Sequence, residues 1–275
     1  MILWVSLALA VCPTADTNPP VCPAGSVHGT SVDHPYEWGA AATGLQPWWG
    51  RLSCAGGRIP VFRRHGGVGT AKATSTGKSE LVDAWEVGCP QARYELYTSV
   101  YRCGEVCVPA SLSVLPARAM RHMEAAKAAA KAGDVPAALL AGQAATDSAP
   151  EHERSWVFRG TFAEELGRFD EALVAWTGAV ARFPGSLSEG HRAEALARTG
   201  KKAEAKELST RLLAAAPDAP GRGRLLCVQS LTDDVKEKAA TLAKQACAEG
   251  YQRCCIRLHL RAHASGCSAR TRPWE

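Results

Sequence analysis

Hydrophobic and polar positions follow two different rhythms along this chain. Residues 93–103, RYELYTSVYRC, alternate. Tyr94, Leu96, Thr98 and Val100 point one way and Glu95, Tyr97, Ser99 and Tyr101 the other, which is the period of a strand. Residues 80–88 and 58–64 predict two further strands, and Cys89 to Ala92 reads as the turn that joins 80–88 to 93–103 in a hairpin. Ala-rich helical runs begin only at Met120. Residues 233–248, DDVKEKAATLAKQACA, predict an amphipathic helix that Glu249 and Gly250 end, with a second helix starting near Gln252. The expected class is α+β: a small β domain over 21–118, then helices.

The helical part repeats. Gly133, Gly167 and Gly200 lie 34 and then 33 residues apart, Ala138, Ala172 and Ala205 each follow their glycine by five, and Pro150, Pro184 and Pro217 by 17. A period of this length predicts stacked helical hairpins. In the middle copy, residues 153–185, small residues at Gly160 and Ala172 let two helix backbones approach, and Trp156, Phe169 and Trp176 fill the space around that contact. Gly167 suits the left-handed residue that ends a first helix, and Pro184 stops the second because it lacks an N–H.

On these residues, with Ala179, the copy closely resembles the tetratricopeptide repeat (TPR) family. Copies 119–152 and 186–219 keep Ala126 and Ala193, but have His122 and Glu189 where the first-helix aromatic belongs, as expected of the outer members of an array. The resemblance implies an α–α superhelix that binds a peptide or protein in a groove lined by first helices. By repeat position that groove shows Met123, Lys127, Lys131, Arg154, Val157, Thr161, Glu164, Glu165, Glu194 and Arg198. The carboxylate clamp of chaperone-binding members is not implied, since its places carry Met123, Lys127, Phe158, Leu187 and His191. A plain solvated face of mixed charge is the competing reading of the same positions.

Cys247 and Cys255 lie eight residues apart across the turn at Gly250. Ala246-Cys247, Gly250 and Cys255 resemble, in order, the Sel1-like repeats, cysteine-rich relatives of TPRs. That resemblance implies a Cys247–Cys255 disulfide, with Cys247–Cys254 the alternative, and a stapled helical cap over 220–267. Cys227 and Cys267 then tie to Cys254 or to each other.

Eleven cysteines in 275 residues point to an oxidising compartment. Residues 2–11 are apolar or small, too few for the roughly 20 residues a membrane helix needs but suited to the core of an export signal. Ala8-Leu9-Ala10 offers a cleavage site. Alternatively, Leu9 to Cys12 resembles a bacterial lipobox in which Cys12 is lipidated, although Val11 departs from the small residue that pattern wants. Residues 13–20 then form a tether and 268–275 a tail. The net charge of +5 comes from cations spread after residue 219, and no nucleic-acid-binding motif accompanies them.

Enzyme chemistry finds little support in the N-terminal half. Thr76 to Ser79 ends like a phosphate loop, but Lys72 occupies the place of its first glycine. Cys103 and Cys107, with Cys54, Cys89 or His65, make only one pair of zinc-ligand spacing. His28, His34, His65, Asp33 and Asp83 stand near no G-x-S-x-G serine. The expectation is a non-enzymatic interaction scaffold of the bacterial cell envelope, without metal or cofactor. The alternative is an envelope enzyme seated in residues 21–118, with the repeats as a recruiting arm.

Overall fold

Alternation in the first half and 3.6-residue periodicity in the second become strands β1 (Tyr36–Glu37), β2 (Leu52–Cys54), β3 (Val61–Lys72), β4 (Ser79–Gly88), β5 (Arg93–Ser99) and β6 (Leu112–Val114), followed by helices α1 (Ala117–Lys131), α2 (Val135–Ser148), α3 (Glu153–Glu165), α4 (Phe169–Arg182), α5 (Ser188–Arg198), α6 (Lys202–Ala215), α7 (Arg222–Thr232), α8 (Lys236–Ala248) and α9 (Gln252–Arg257). The computed structural model describes residues 18–26, 29–37, 51–72, 79–99, 107–185, 187–216 and 221–257. They fall into two units, Met1–Ser155 and Trp156–Glu275.

In the first unit a four-stranded sheet runs in the order β1-β5-β4-β3, and β2 pairs antiparallel with β6 in a second, smaller sheet. The β4–β5 hairpin turns through Cys89 and Ala92, whose backbones exchange hydrogen bonds of 2.8 and 3.3 Å. Strand β3 runs past 58–64 to Lys72, through Gly66, Gly67 and Gly69, which the sequence pattern left outside any strand. It stays paired with β4 because register shifts at Arg64/Gly66 and Gly67/Gly69 absorb the irregularity. Tyr36, Leu52, Val87, Leu96, Val108 and Leu112 form the core of this part, with Cys22, Cys89 and Cys107 packed against it. Disulfides Cys22–Cys107 and Cys54–Cys89 staple it. Burial pushes the Tyr36 phenol up to about 12.

The first unit does not end at residue 118. Asn18 Oδ1 accepts from the Ala117 amide that opens α1 and from the fully buried Arg51, whose Nε donates to the Leu115 carbonyl. At the far end of the α1–α2 hairpin, the Ile59 amide donates to Glu153, the Ser53 hydroxyl meets His152 Nδ1 at 3.1 Å, and Gly57 packs so close that a Cβ would lie 1.6 Å from the Glu151 carbonyl oxygen. The short strands and the first helical hairpin therefore share one unit.

The second unit is a run of TPR-like hairpins. Gly167 and Gly200 are left-handed, at φ 71° and 84°, and the residue after each donates to the carbonyl five positions back, Arg168 to Ala163 and Lys201 to Leu196. This double-capped turn ends one helix and aims the next. Gly133 and Gly250 make the same turn. Helices α3 and α4 touch through their small residues: a Cβ on Gly160 would lie 2.4 Å from the Trp176 ring, and one on Gly178 2.1 Å from the Trp156 ring. Ala193, Leu196, Ala205, Leu208 and Val228 join α5, α6 and α7. Leu226, Cys227, Ala243, Ala246 and Cys254 join α7, α8 and α9. No helix among the described residues is long and apolar enough to cross a membrane.

Gly160→Val is expected to cost about 1–3 kcal/mol by overpacking the Trp176 contact. The change would appear as a lower urea midpoint for the second unit. An unchanged midpoint would show that α3 and α4 do not depend on this close approach.

Candidate functional site

Two glutamates stand on successive first helices, Glu164 on α3, three residues before Gly167, and Glu194 on α5, six residues before Gly200. Both are buried, 4% and 0% exposed. Burying a carboxylate without compensation is costly, so the surrounding helices must supply donors and cations. Trp176 Nε1–H on α4 donates to Glu164 Oε1 at 2.7 Å. Arg224 on α7 reaches both carboxylates, 3.5 Å from Glu164 and 3.4 Å from Glu194. Arg253 on α9 does the same, donating to Glu164 at 2.8 Å and lying 3.7 Å from Glu194. The Tyr251 hydroxyl donates to Glu194, and Arg198, one turn along α5, lies 3.4 Å from the same carboxylate.

His191 completes the cluster, its ring tilted by 36° against that of Trp176 with centroids 4.2 Å apart. Its Nδ1 lies 3.0 Å from Glu164 Oε1 and also contacts Arg224 Nη1. One ring nitrogen serves only one of these at a time: protonated it donates to Glu164, unprotonated it accepts from Arg224. Burial holds the His191 imidazole below its ordinary value against the hydrogen bond to Glu164. Burial alone would raise Glu164, but the His191 hydrogen bond and the charges of Arg224 and Arg253 reverse that and hold its carboxyl at about 2. Burial likewise opposes the Arg253 charge, and Glu194 and Glu164 outweigh it, so the guanidinium sits above its usual range. The Tyr251 phenol is raised, first by burial.

The other positions expected in the groove divide between the two units. In the second, Val157 and Thr161 are half-buried on the stripe of α3 that carries Glu164, Glu165 is exposed beside them, and Arg198 lies over the Phe169 ring at 5.3 Å. In the first, Lys127 pairs within its own helix with Glu124 at 2.8 Å, and Lys131 is exposed at the end of α1. Arg154 is half-buried, with its Nε lacking a hydrogen-bond partner and its charge disfavoured by burial. Met123 is buried instead of facing a groove, because it shares the i, i+4, i+7 face of Ala119 and Ala126.

Sequence reasoning by repeat position did not find Arg224, Tyr251 and Arg253, the partners of Glu164 and Glu194. A signal was present: the net positive charge of the chain lies after residue 219, where it can compensate glutamates on the first helices.

Cysteine placement also takes shape. Cys247 is joined to Cys255 and Cys227 to Cys254. Cys107 is held by Cys22, and Cys54 by Cys89, so the zinc grouping weighed for these thiols is replaced by disulfides. Among the described residues no group of three or more His, Cys, Asp or Glu side chains could hold a metal ion. Ser53 and His152, in contact in the buried interior of this unit, are sealed at 0% and 4% exposure and tie β2 to the start of α3. Cys12, Cys103, Cys267, His28 and residues 73–78 lie outside the described residues.

No protein-family model matches the chain, and no curated protein matches it. Among solved structures it is similar to MamA 41-end from Desulfovibrio magneticus RS-1, with 14% identity and a TM-score of 0.39 over 53% of this chain and 88% of that one. It is also similar to an O-GlcNAc transferase mutant of Thermobaculum terrenum, with 19% identity and a TM-score of 0.36 over 48% of this chain and 26% of that one. The hairpin array itself rests on its own turns and packing.

The Glu164 shift carries a pH signature. Its folded value of about 2 lies below the ordinary 4.5, so its contribution is complete above about pH 4.5 and is lost as pH falls toward 2. Glu164→Gln is expected to destabilise the second unit by roughly 3 kcal/mol at pH 7, since it strands buried cations. The gap from the wild type should narrow below pH 4.5. Denaturant titrations of both proteins at pH 7, 4 and 2.5 check this. A gap independent of pH would refute it.

Proposed function

We propose that the helical array is a non-enzymatic protein–protein interaction scaffold of the bacterial cell envelope, which holds a peptide or protein segment on the face shared by its first helices. One observation supports this most directly: α3, α5 and α7 turn polar side chains onto a common face, where Glu164, His191, Glu194 and Arg224 meet. A face built only to pack would be apolar. This one fixes charges in place and leaves Thr161, Val157, Glu165 and Arg198 along its margin, where an extended segment finds both hydrogen-bonding and ionic partners. No cofactor takes part in this reading.

The cysteines support an exported location. Disulfides at Cys22–Cys107, Cys54–Cys89, Cys227–Cys254 and Cys247–Cys255 suit an exported protein. Residues 2–11 would direct export, and lipid on Cys12 would anchor the chain at a membrane of the envelope.

A photo-crosslinking residue placed at Thr161, on the first-helix face, should yield discrete protein adducts in envelope preparations. The same residue at the exposed Val174 on α4 should yield few. Equal adducts at both positions, or adducts at Val174 alone, would overturn this choice of face.

A further inference from the structure

Helix α9 closes the ion cluster from outside the repeats, held by polar contacts and by cystines, with Cys254 and Tyr251 also packed against Leu226, Ala243 and Ala246. At one end, Tyr251 and Arg253 reach across to Glu194 and Glu164. At the other, the adjacent Cys254 and Cys255 are bonded to Cys227 on α7 and Cys247 on α8. The turn leading in is tight: a Cβ on Gly223 would lie 2.9 Å from Glu249 Cβ and 3.2 Å from Tyr251 Cβ. We propose that Tyr251 to Cys255 forms a cystine-locked strap over the Glu164–Glu194 pair, and that reduction of the two cystines releases it. Its role as a control on binding rests on the first-helix face being the partner site. The strap itself does not depend on that reading.

Three features argue for release in place of general unfolding. The core that joins α5 to α6 and α7 contains no residue of α8 or α9. The α3–α4 contact is made by Gly160, Trp176, Trp156 and Gly178, again without the strap. When the strap leaves, Glu164 keeps Trp176, His191 and Arg224, and Glu194 keeps Arg198 and Arg224. The hairpins are therefore still compensated, while the carboxylate pair loses Tyr251 and Arg253 and opens toward a cationic group of a partner.

The two cystines also differ in access. Cys227 and Cys254 are both 0% exposed, whereas Cys247 is half-buried beside the 5% exposed Cys255. Exchange therefore begins at Cys247. A thiolate of a dithiol reductant attacks Cys247 Sγ, the Cys247–Cys255 bond breaks, and Cys255 leaves as thiolate and takes a proton. The second thiol of the reductant then displaces Cys247, which leaves as thiolate and is protonated, and the reductant is oxidised to its own disulfide. A second dithiol opens Cys227–Cys254 in the same way once the outer bond no longer pins α9. The outer cystine thus guards the inner one.

Hydrogen exchange and thiol trapping of the full chain, with and without dithiothreitol, test this. Reduction should lower amide protection over residues 251–257 about tenfold or more and leave α3 to α6 within about twofold. Alkylation should reach Cys247 and Cys255 before Cys227 and Cys254. In the double variant Cys247→Ser/Cys255→Ser the inner cystine should be reduced about tenfold faster than in the wild type. Loss of protection throughout 156–257 would make the cystines general staples and overturn the proposal. So would a strap that stays protected after both bonds are reduced, or an inner cystine that opens first. Crosslinking from Thr161 decides the partner face separately, so an absent partner and an absent strap give different results.

Discussion

Two carboxylates withdrawn from water organise the second half of this protein. Glu164 and Glu194 lie on neighbouring first helices, three residues out of repeat register, and both are buried. Like charges at that depth repel, and each alone carries a desolvation penalty of several kcal/mol. The array resolves this by drawing cations from further along the chain. Arg224 and Arg253 each reach both glutamates, with Tyr251, His191 and Trp176 supplying the remaining hydrogen bonds. The positions of α7 and α9 are thereby coupled to those of α3 and α5. Hydrophobic contacts alone link mainly sequential neighbours in such arrays.

The first unit meets a different constraint. Its strands are short and its sheets small, so the apolar core around Leu52, Val87 and Leu96 is modest. Disulfides spanning 85 and 35 residues restrict the unfolded chain in compensation, by roughly 4 kcal/mol each in the loop-entropy account. Their sulfurs also pack against the core they secure. Polar side chains then join strand to helix: Arg51 and Asn18 at the start of α1, and Ser53 and Glu153 at the start of α3. Buried polar groups of this kind specify geometry because each leaves an unsatisfied partner if the fit is wrong.

Local features of the helical half were legible in the residues because they obey local rules. Gly167 and Gly200 end helices through a left-handed turn any short window reveals, and Gly160 marks a close helix contact because no larger side chain fits beside Trp176. The β4–β5 hairpin was legible for the same reason, since alternation is a property of the strand itself. Strand β3 was not, beyond its first residues. Gly66, Gly67 and Gly69 read locally as loop, and only pairing with β4 keeps them extended.

Placement of charge was beyond the reach of the pattern. The chain by itself determined that hairpins repeat every 33 or 34 residues, that glutamates occur on the first helices, and that the net positive charge lies after residue 219. Tertiary structure alone decided that Glu164 and Glu194 are buried and face Arg224 and Arg253, which lie 60 and 89 residues from Glu164. Helical periodicity depends on neighbours one turn away. A buried ion pair depends on which distant helices the fold brings within about 4 Å, where the low dielectric makes compensation compulsory.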